Sequence, residues 1–243
     1  MDRVHRDAEH CVGTQVRQLR RGGFLPEVPR DAEVSAAEHR DALARVARSL
    51  FERGLTHGST GNLSIRTDDG YLMTPTGSSL GMLDPARLSM LDADGIHVGG
   101  DTPTKEALLH LAMYRQRPRD RAVVHLHSTH SVAVSLLADV DADDVLPPLT
   151  AYYVMRIGRL PLLPYFPPGD SRLADVVAIA ATRHHALLLA NHGPVVSGAS
   201  LADAADAVEE LEATARIWLL VRHERVRALT AEETAEIARR FPR

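Results

Sequence analysis

The stretch Val123-Val124-His125-Leu126-His127-Ser128-Thr129-His130 constrains this chain more than any other. It reads as a short apolar strand running into a polar turn and then a helix. Side chains on a strand alternate between faces, so His125 and His127 project to one side and Leu126 to the other. Two imidazoles about 7 Å apart along one face can bind a single metal ion, provided other segments supply further ligands. Alone, the pattern is equally that of two polar residues emerging at a strand end. His192 shifts that balance. It lies in Asn191-His192-Gly193-Pro194, a turn directly after the buried apolar run 186–190, where the backbone must bend. His130 falls on the following helix and points elsewhere.

Glu106 is the candidate acid. It follows Pro103-Thr104-Lys105, and proline suits a first helical position, so the second helix is expected to begin at Pro103 with Leu108, Leu109, Ala112 and Met113 as its buried stripe. An acid in a first turn also suits the helix dipole, which is a purely structural reason for its presence. Lys105 has no such reason, because a lysine there opposes the dipole; a nearby anion explains it better. Two glycine-rich turns, Gly58-Ser59-Thr60-Gly61-Asn62 and Thr74-Pro75-Thr76-Gly77-Ser78-Ser79, offer hydroxyls and amides of the kind that cradle phosphate without a Walker motif. Such turns are common, and each is a weak signal alone.

The rest of the chain reads as one α/β domain over residues 35–243, preceded by an appendage over 1–34 in which Arg17, Arg20 and Arg21 lead into Gly22-Gly23, Pro26 and Pro29. Capping boxes at Ser35–Glu38 and Thr230–Glu233 start helices, and a long helix starts at Ser200. Asp68-Asp69-Gly70 is a hairpin turn. Residues 154–163 read as a strand. The sheet is expected to be mixed or mostly antiparallel. A net charge of -4 over 243 residues gives no reason to expect nucleic acid as a partner. The single cysteine allows no internal disulfide and fits a cytoplasmic location, with no signal peptide expected and no apolar run long enough for a membrane.

Taken in order, Gly61-Asn62-Leu63-Ser64, Thr74-Pro75-Thr76-Gly77, Glu106, Val124-His125-Leu126-His127-Ser128 and Asn191-His192-Gly193 resemble the class II aldolase/adducin family from about Ser35 onward. The resemblance implies an α/β/α sandwich around a mainly antiparallel nine-stranded sheet, in a C4 homotetramer. It implies that His125, His127 and His192 hold a divalent metal, zinc first, with manganese, cobalt or iron as alternatives. Glu106 becomes an acid/base that can also occupy a metal position. Ser59, Asn62, Thr76 and Gly77 become a phosphate cradle, and Tyr152 falls near a tyrosine that reaches the neighbouring subunit's site.

Two departures direct the reading within the family. Thr104-Lys105 stands where fuculose-phosphate aldolases have two serines, and residues 147–156 are also distinctive. Both resemble the branch that decarboxylates 3-oxo-tetronate 4-phosphates. The expected reaction is therefore metal-dependent loss of carbon dioxide from such an acid, through an enediolate, to dihydroxyacetone phosphate. Lys105, with Thr104, is expected to hold the substrate's phosphate or carboxylate, with Arg156 as a second carboxylate candidate. The alternatives are a sugar-phosphate aldolase of fuculose-phosphate type, a pentulose-phosphate 4-epimerase, and an adducin-like binding domain without catalysis.

Overall fold

A computed structural model of the protein describes residues 35–242. The appendage read over residues 1–34 lies outside the described residues.

Helix α1, Ala36–Glu52, begins at the expected capping box: Ser35 Oγ accepts from the Glu38 amide, and the Glu38 carboxylate accepts from the Ser35 amide. Leu43, Ala44, Ala47 and Leu50 form its buried face. Strands β1 (Asn62–Arg66) and β2 (Gly70–Met73) form the hairpin signalled by Asp68-Asp69-Gly70. Then come β3 (Ser89–Asp92), β4 (His97–Gly99), α2 (Ala107–Gln116), β5 (Ala122–His125), α3 (Thr129–Ser135), α4 (Ala151–Arg156), β6 (Leu162–Leu163), α5 (Ser171–Ala181), β7 (Ala186–Leu189), β8 (Gly193–Gly198), α6 (Leu201–Val221) and α7 (Ala231–Arg240).

The strands make one sheet in the order β4-β3-β2-β1-β5-β8-β7-β6. Every pairing is antiparallel except β6 with β7. Eight strands are present among the described residues, one fewer than the nine that the resemblance implies. The stretch 154–163 adds little to the sheet: most of it is helix α4 and a loop, and only the two residues of β6 pair. Thr150 sets that outcome by capping α4, its hydroxyl accepting from the Tyr153 amide.

Strand alternation divides the core into two layers. Leu63, Val124, Leu126, Leu188 and Val196 face α1, α3 and α6. Val123, Leu187, Leu189 and Val195 face α2 and α5. The result is an α/β/α sandwich. Helix α2 starts later than Pro103 suggests. Pro103 is bridged to Pro75, the Thr104 amide donates to Thr74 O, and the Thr76 amide donates to Thr102 O, so residues 102–104 are held as extended ribbon. Leu108 is exposed, whereas Leu109, Ala112 and Met113 pack against α5 and the sheet. No helix of the described residues is long and apolar enough to cross a membrane.

Candidate active site

His125 ends β5, and it faces the α2/α5 layer because Val123, two residues earlier, does so. Leu126 turns into the opposite core, and His127 returns to the histidine side. His192 arrives from the β7–β8 turn. Asn191 takes a left-handed conformation there, with φ 58, and Gly193 follows with φ 148. A Cβ on Gly193 would overlap the Leu126 carbonyl oxygen, so only glycine lets this turn settle against β5. The Leu126 amide donates to Pro194 O at 3.2 Å across the same contact. The three rings meet edge to face, with centroids 4.7 to 5.1 Å apart.

Glu106 enters from above the sheet as the residue preceding α2. Its Oε2 lies 3.2 Å from His125 Nε2 and accepts from Asn62 Nδ2 at 2.9 Å; its Oε1 lies 3.2 Å from His192 Nε2. One ligand atom from each of Glu106, His125, His127 and His192 falls within 4.8 Å of the others. Burial alone drives the Glu106 carboxyl upward, but His125, His192 and Asn62 outweigh it and hold it well below the usual carboxylate range. Burial likewise disfavours charge on His125, yet the Glu106 carboxylate raises its pKa. Burial and then the His125 charge push His127 down to about 3 and His192 to about 4. The four groups thus favour one positive charge between them and resist a second.

That preference fits a divalent cation. His125 Nδ1 is paired with the Pro194 carbonyl at 2.8 Å, which makes it the protonated nitrogen and turns Nε2 inward. His125 Nε2 and His192 Nε2 face each other at 3.3 Å, and Glu106 Oε1 is buried with no hydrogen bond. Inward-facing imidazole nitrogens beside an unsatisfied carboxylate oxygen form a donor set suited to zinc and to other first-row divalent ions. Beside it opens a cleft of about 450 Å³ lined by His57, His127, Thr129, Val132, Tyr165, Pro168, Asn191 and His192.

The remaining predicted residues are placed unevenly. Asn62 is buried, and its amide is engaged by Glu106 and His110. Thr104 is buried beside Glu106, whose amide donates to its hydroxyl at 3.3 Å. Thr76 and Gly77 are exposed and line a separate hollow with Arg87 and Asp101, although their ribbon runs beside residues 102–104. Ser59 is exposed on its turn. Lys105 is exposed where α2 meets the start of α5. Tyr152 is 61% exposed and does not line the cleft. Arg156 does not line the cleft and pairs with Asp206 at 3.1 Å and Asp203 at 3.9 Å. Sequence reasoning passed over His57 and Tyr165, which line the cleft, and the buried pair His110 and Tyr114. A signal for the last two existed: they stand four and eight residues after Glu106, on its face of the helix.

Comparison with known proteins agrees with this architecture. Residues 41–219 match the sequence profile of the class II aldolase and adducin N-terminal domain. The 3-oxo-tetronate 4-phosphate decarboxylase of Escherichia coli (strain K12) is 53% identical over 199 residues, covering 82% of this chain and 94% of that protein. The L-fuculose phosphate aldolase of the same organism is 34% identical over 192 residues, covering 77% of this chain and 86% of its own. The crystal structure of YgbL from Escherichia coli superposes with a TM-score of 0.81 at 51% identity, covering 83% of this chain and 98% of that one. Matched along most of its length in sequence and in fold, the chain belongs to the class II aldolase and adducin family.

Proposed function

We propose that this protein is a metal-dependent lyase that decarboxylates a 3-oxo-tetronate 4-phosphate to dihydroxyacetone phosphate and carbon dioxide. The observation that carries the chemistry is the convergence of His125, His127, His192 and Glu106 within 4.8 Å. The choice of reaction is supported by similarity. Relatives named for this decarboxylation are 46% and 53% identical over 83% and 82% of the chain, whereas an aldolase relative is 34% identical.

On this reading His125, His127 and His192 hold the ion, zinc first. A divalent ion bound there supplies Lewis acidity, drawing electron density from the carbon skeleton as the carboxylate leaves. The bond between the carboxylate carbon and C2 breaks, carbon dioxide departs, and C2 gains one proton. Glu106, ionised at rest, takes up that proton from solvent at Oε1, the oxygen with no hydrogen bond inside the protein, and passes it to C2. Asn62 orients the carboxylate through Oε2. Lys105 and Thr104 bind the substrate's anionic groups, with Ser59, Thr76 and Gly77 completing a phosphate cradle. The enzyme works as a cytoplasmic homotetramer, in which the exposed Tyr152 serves the neighbouring subunit's site.

The test is coupled detection of dihydroxyacetone phosphate from 3-oxo-tetronate 4-phosphate. Turnover is expected in the native protein and should vanish with chelator and in His127→Ala. Faster cleavage of fuculose 1-phosphate than of the oxo-acid would overturn the decarboxylase reading in favour of an aldolase.

A further inference from the structure

Behind Glu106, and away from the cleft, helix α2 and strand β1 carry facing polar stripes. Glu106, His110 and Tyr114 recur every fourth residue, a rise of about 6 Å per step. Asn62, Ser64 and Arg66 recur every second strand residue, about 6.7 Å per step. Because the two spacings nearly match, the stripes mesh. Asn62 contacts Glu106 at 2.9 Å and His110 Nε2 at 2.5 Å; Ser64 Oγ contacts His110 Nδ1 at 2.7 Å and the Tyr114 hydroxyl at 2.8 Å. Arg66 closes the row, bonding Tyr114 O and stacking 4.7 Å over the tyrosine ring. Ser64, His110 and Tyr114 are fully buried.

Every donor in this row has one consistent direction. An ionised Glu106 only accepts, so the Asn62 atom facing it must be the amide nitrogen, and Asn62 Oδ1 then faces His110. Oδ1 only accepts, so His110 carries its proton on Nε2. His110 is fully buried, which disfavours its charged form, so the ring is neutral and its Nδ1 accepts from Ser64. Ser64 in turn accepts from Tyr114. Turning the Asn62 amide over would set its oxygen against the carboxylate and its NH₂ against an N–H.

We propose that His110 is a positioning residue for the proton-transferring carboxylate: by fixing the Asn62 amide, it holds Glu106 aimed at the three histidines. His110 has no place in the cleft and acts only through Asn62. The proposal rests on the lyase reading for its consequence in turnover, but the hydrogen-bond row itself does not.

The full-length metal-loaded enzyme provides one test. His110→Met, which keeps the bulk and removes the donor, should lower kcat about 10- to 100-fold with KM little changed. His110→Gln, which keeps an N–H toward Asn62, should recover part of that loss. The double variant Asn62→Ala, His110→Met should lose no more than Asn62→Ala alone, because both act through one contact. A second readout needs neither substrate nor metal: nitrogen-15 NMR of the unsubstituted chain should show His110 neutral and protonated on Nε2 near pH 7. Additive losses, a Gln variant as slow as the Met variant, an Nδ1–H tautomer or a protonated ring would each overturn the proposal. Absence of turnover in the unsubstituted enzyme would overturn the decarboxylase reading instead, and the tautomer would still decide the role of His110.

Discussion

Replacing Gly193 with alanine tests whether one backbone contact holds the histidine trio together. Gly193 has φ 148, and an added Cβ would overlap the Leu126 carbonyl oxygen and sit 3.4 Å from His127 Cα. Two responses are open to the chain. It can hold a conformation that only glycine favours, at about 1–3 kcal/mol. Otherwise the β7–β8 turn lifts off Leu126 by roughly 1 Å to restore a normal contact distance. At about 2–4 °C per kcal/mol for a chain of this size, Tm should fall by about 2 to 12 °C. The lift carries His192 away from His125 Nε2, now 3.3 Å distant, and from Glu106 Oε1, now 3.2 Å distant. A misplacement of about 1 Å at a reacting centre costs on the order of 100-fold in rate. The expected result is therefore a kcat/KM about 100-fold lower, with weaker zinc binding in a competition titration against a chromophoric chelator. Gly54→Ala is the control: Gly54 also has positive φ, at 75, but a Cβ there meets nothing within 4 Å. It should lower Tm and leave zinc affinity and turnover alone. If Gly193→Ala binds zinc and turns over no worse than Gly54→Ala, the contact with Leu126 does not organise the site.

Glu212 of α6 closes the first turn of α3, accepting from the His130 and Ser131 amides, His130 Nδ1 and Ser131 Oγ at 2.7 to 2.9 Å. Glu212→Ala should cost about 2–4 kcal/mol in thermal or denaturant unfolding and slow turnover, because the turn after His127 loses its anchor; unchanged stability would remove Glu212 from that role. Lys105→Met should raise KM about tenfold, a loss of about 1.4 kcal/mol, with kcat near that of the native enzyme. An unchanged KM for the phosphorylated oxo-acid would place anion binding elsewhere.

Much of the fold was legible because its signals are local. Both capping boxes, the Asp68-Asp69-Gly70 hairpin and the run at 186–190 are decided by residues within a few positions of one another. The errors came where distant partners decide. The stretch 154–163 reads as a strand, but it opens inside helix α4 and joins the sheet only at Leu162 and Leu163, where Leu188 and Leu189 of β7 lie alongside. Pro103 suits a helix start, but pairing with the 74–76 segment keeps it extended. At the site, residues 125, 127 and 192 have metal-ligating side chains, so spacing singled them out as candidates, and the resemblance to the family supplied their role. His110 was passed over and Asn62 was read only as part of a phosphate cradle, because their contact lies in the meshing of a helix period with a strand period, visible only once α2 is laid on β1. Reading the buried stripe as Leu108, Leu109, Ala112 and Met113 hid the second, polar face of the same helix.

Neither the histidines nor Glu106 distinguishes a decarboxylase from an aldolase, since both need the same charge placed beside the same carbon. What differs is the substrate: an oxo-acid phosphate carries a carboxylate that an aldol substrate lacks, and a cation must meet it. Arg156 is committed to Asp206 and Asp203 and lines a different hollow with Asp120 and His185. Arg172 is committed to Asp170, its neighbour at the start of α5. Lys105 is different. It forms no ion pair among the described residues, and Asp170, which lies in the same crevice, is paired with Arg172. A Cβ on Gly169 would stand 3.7 Å from Lys105 Cβ, and the adjacent Pro168 lines the cleft. Lys105 is exposed and without an ion pair in the crevice it shares with Glu106 and Asp170, so its charge is open to an anion arriving from solvent. On the proposed reading, Lys105 is therefore the cation expected to tell the oxo-acid phosphate from an aldol substrate, and the KM of Lys105→Met for the oxo-acid measures it.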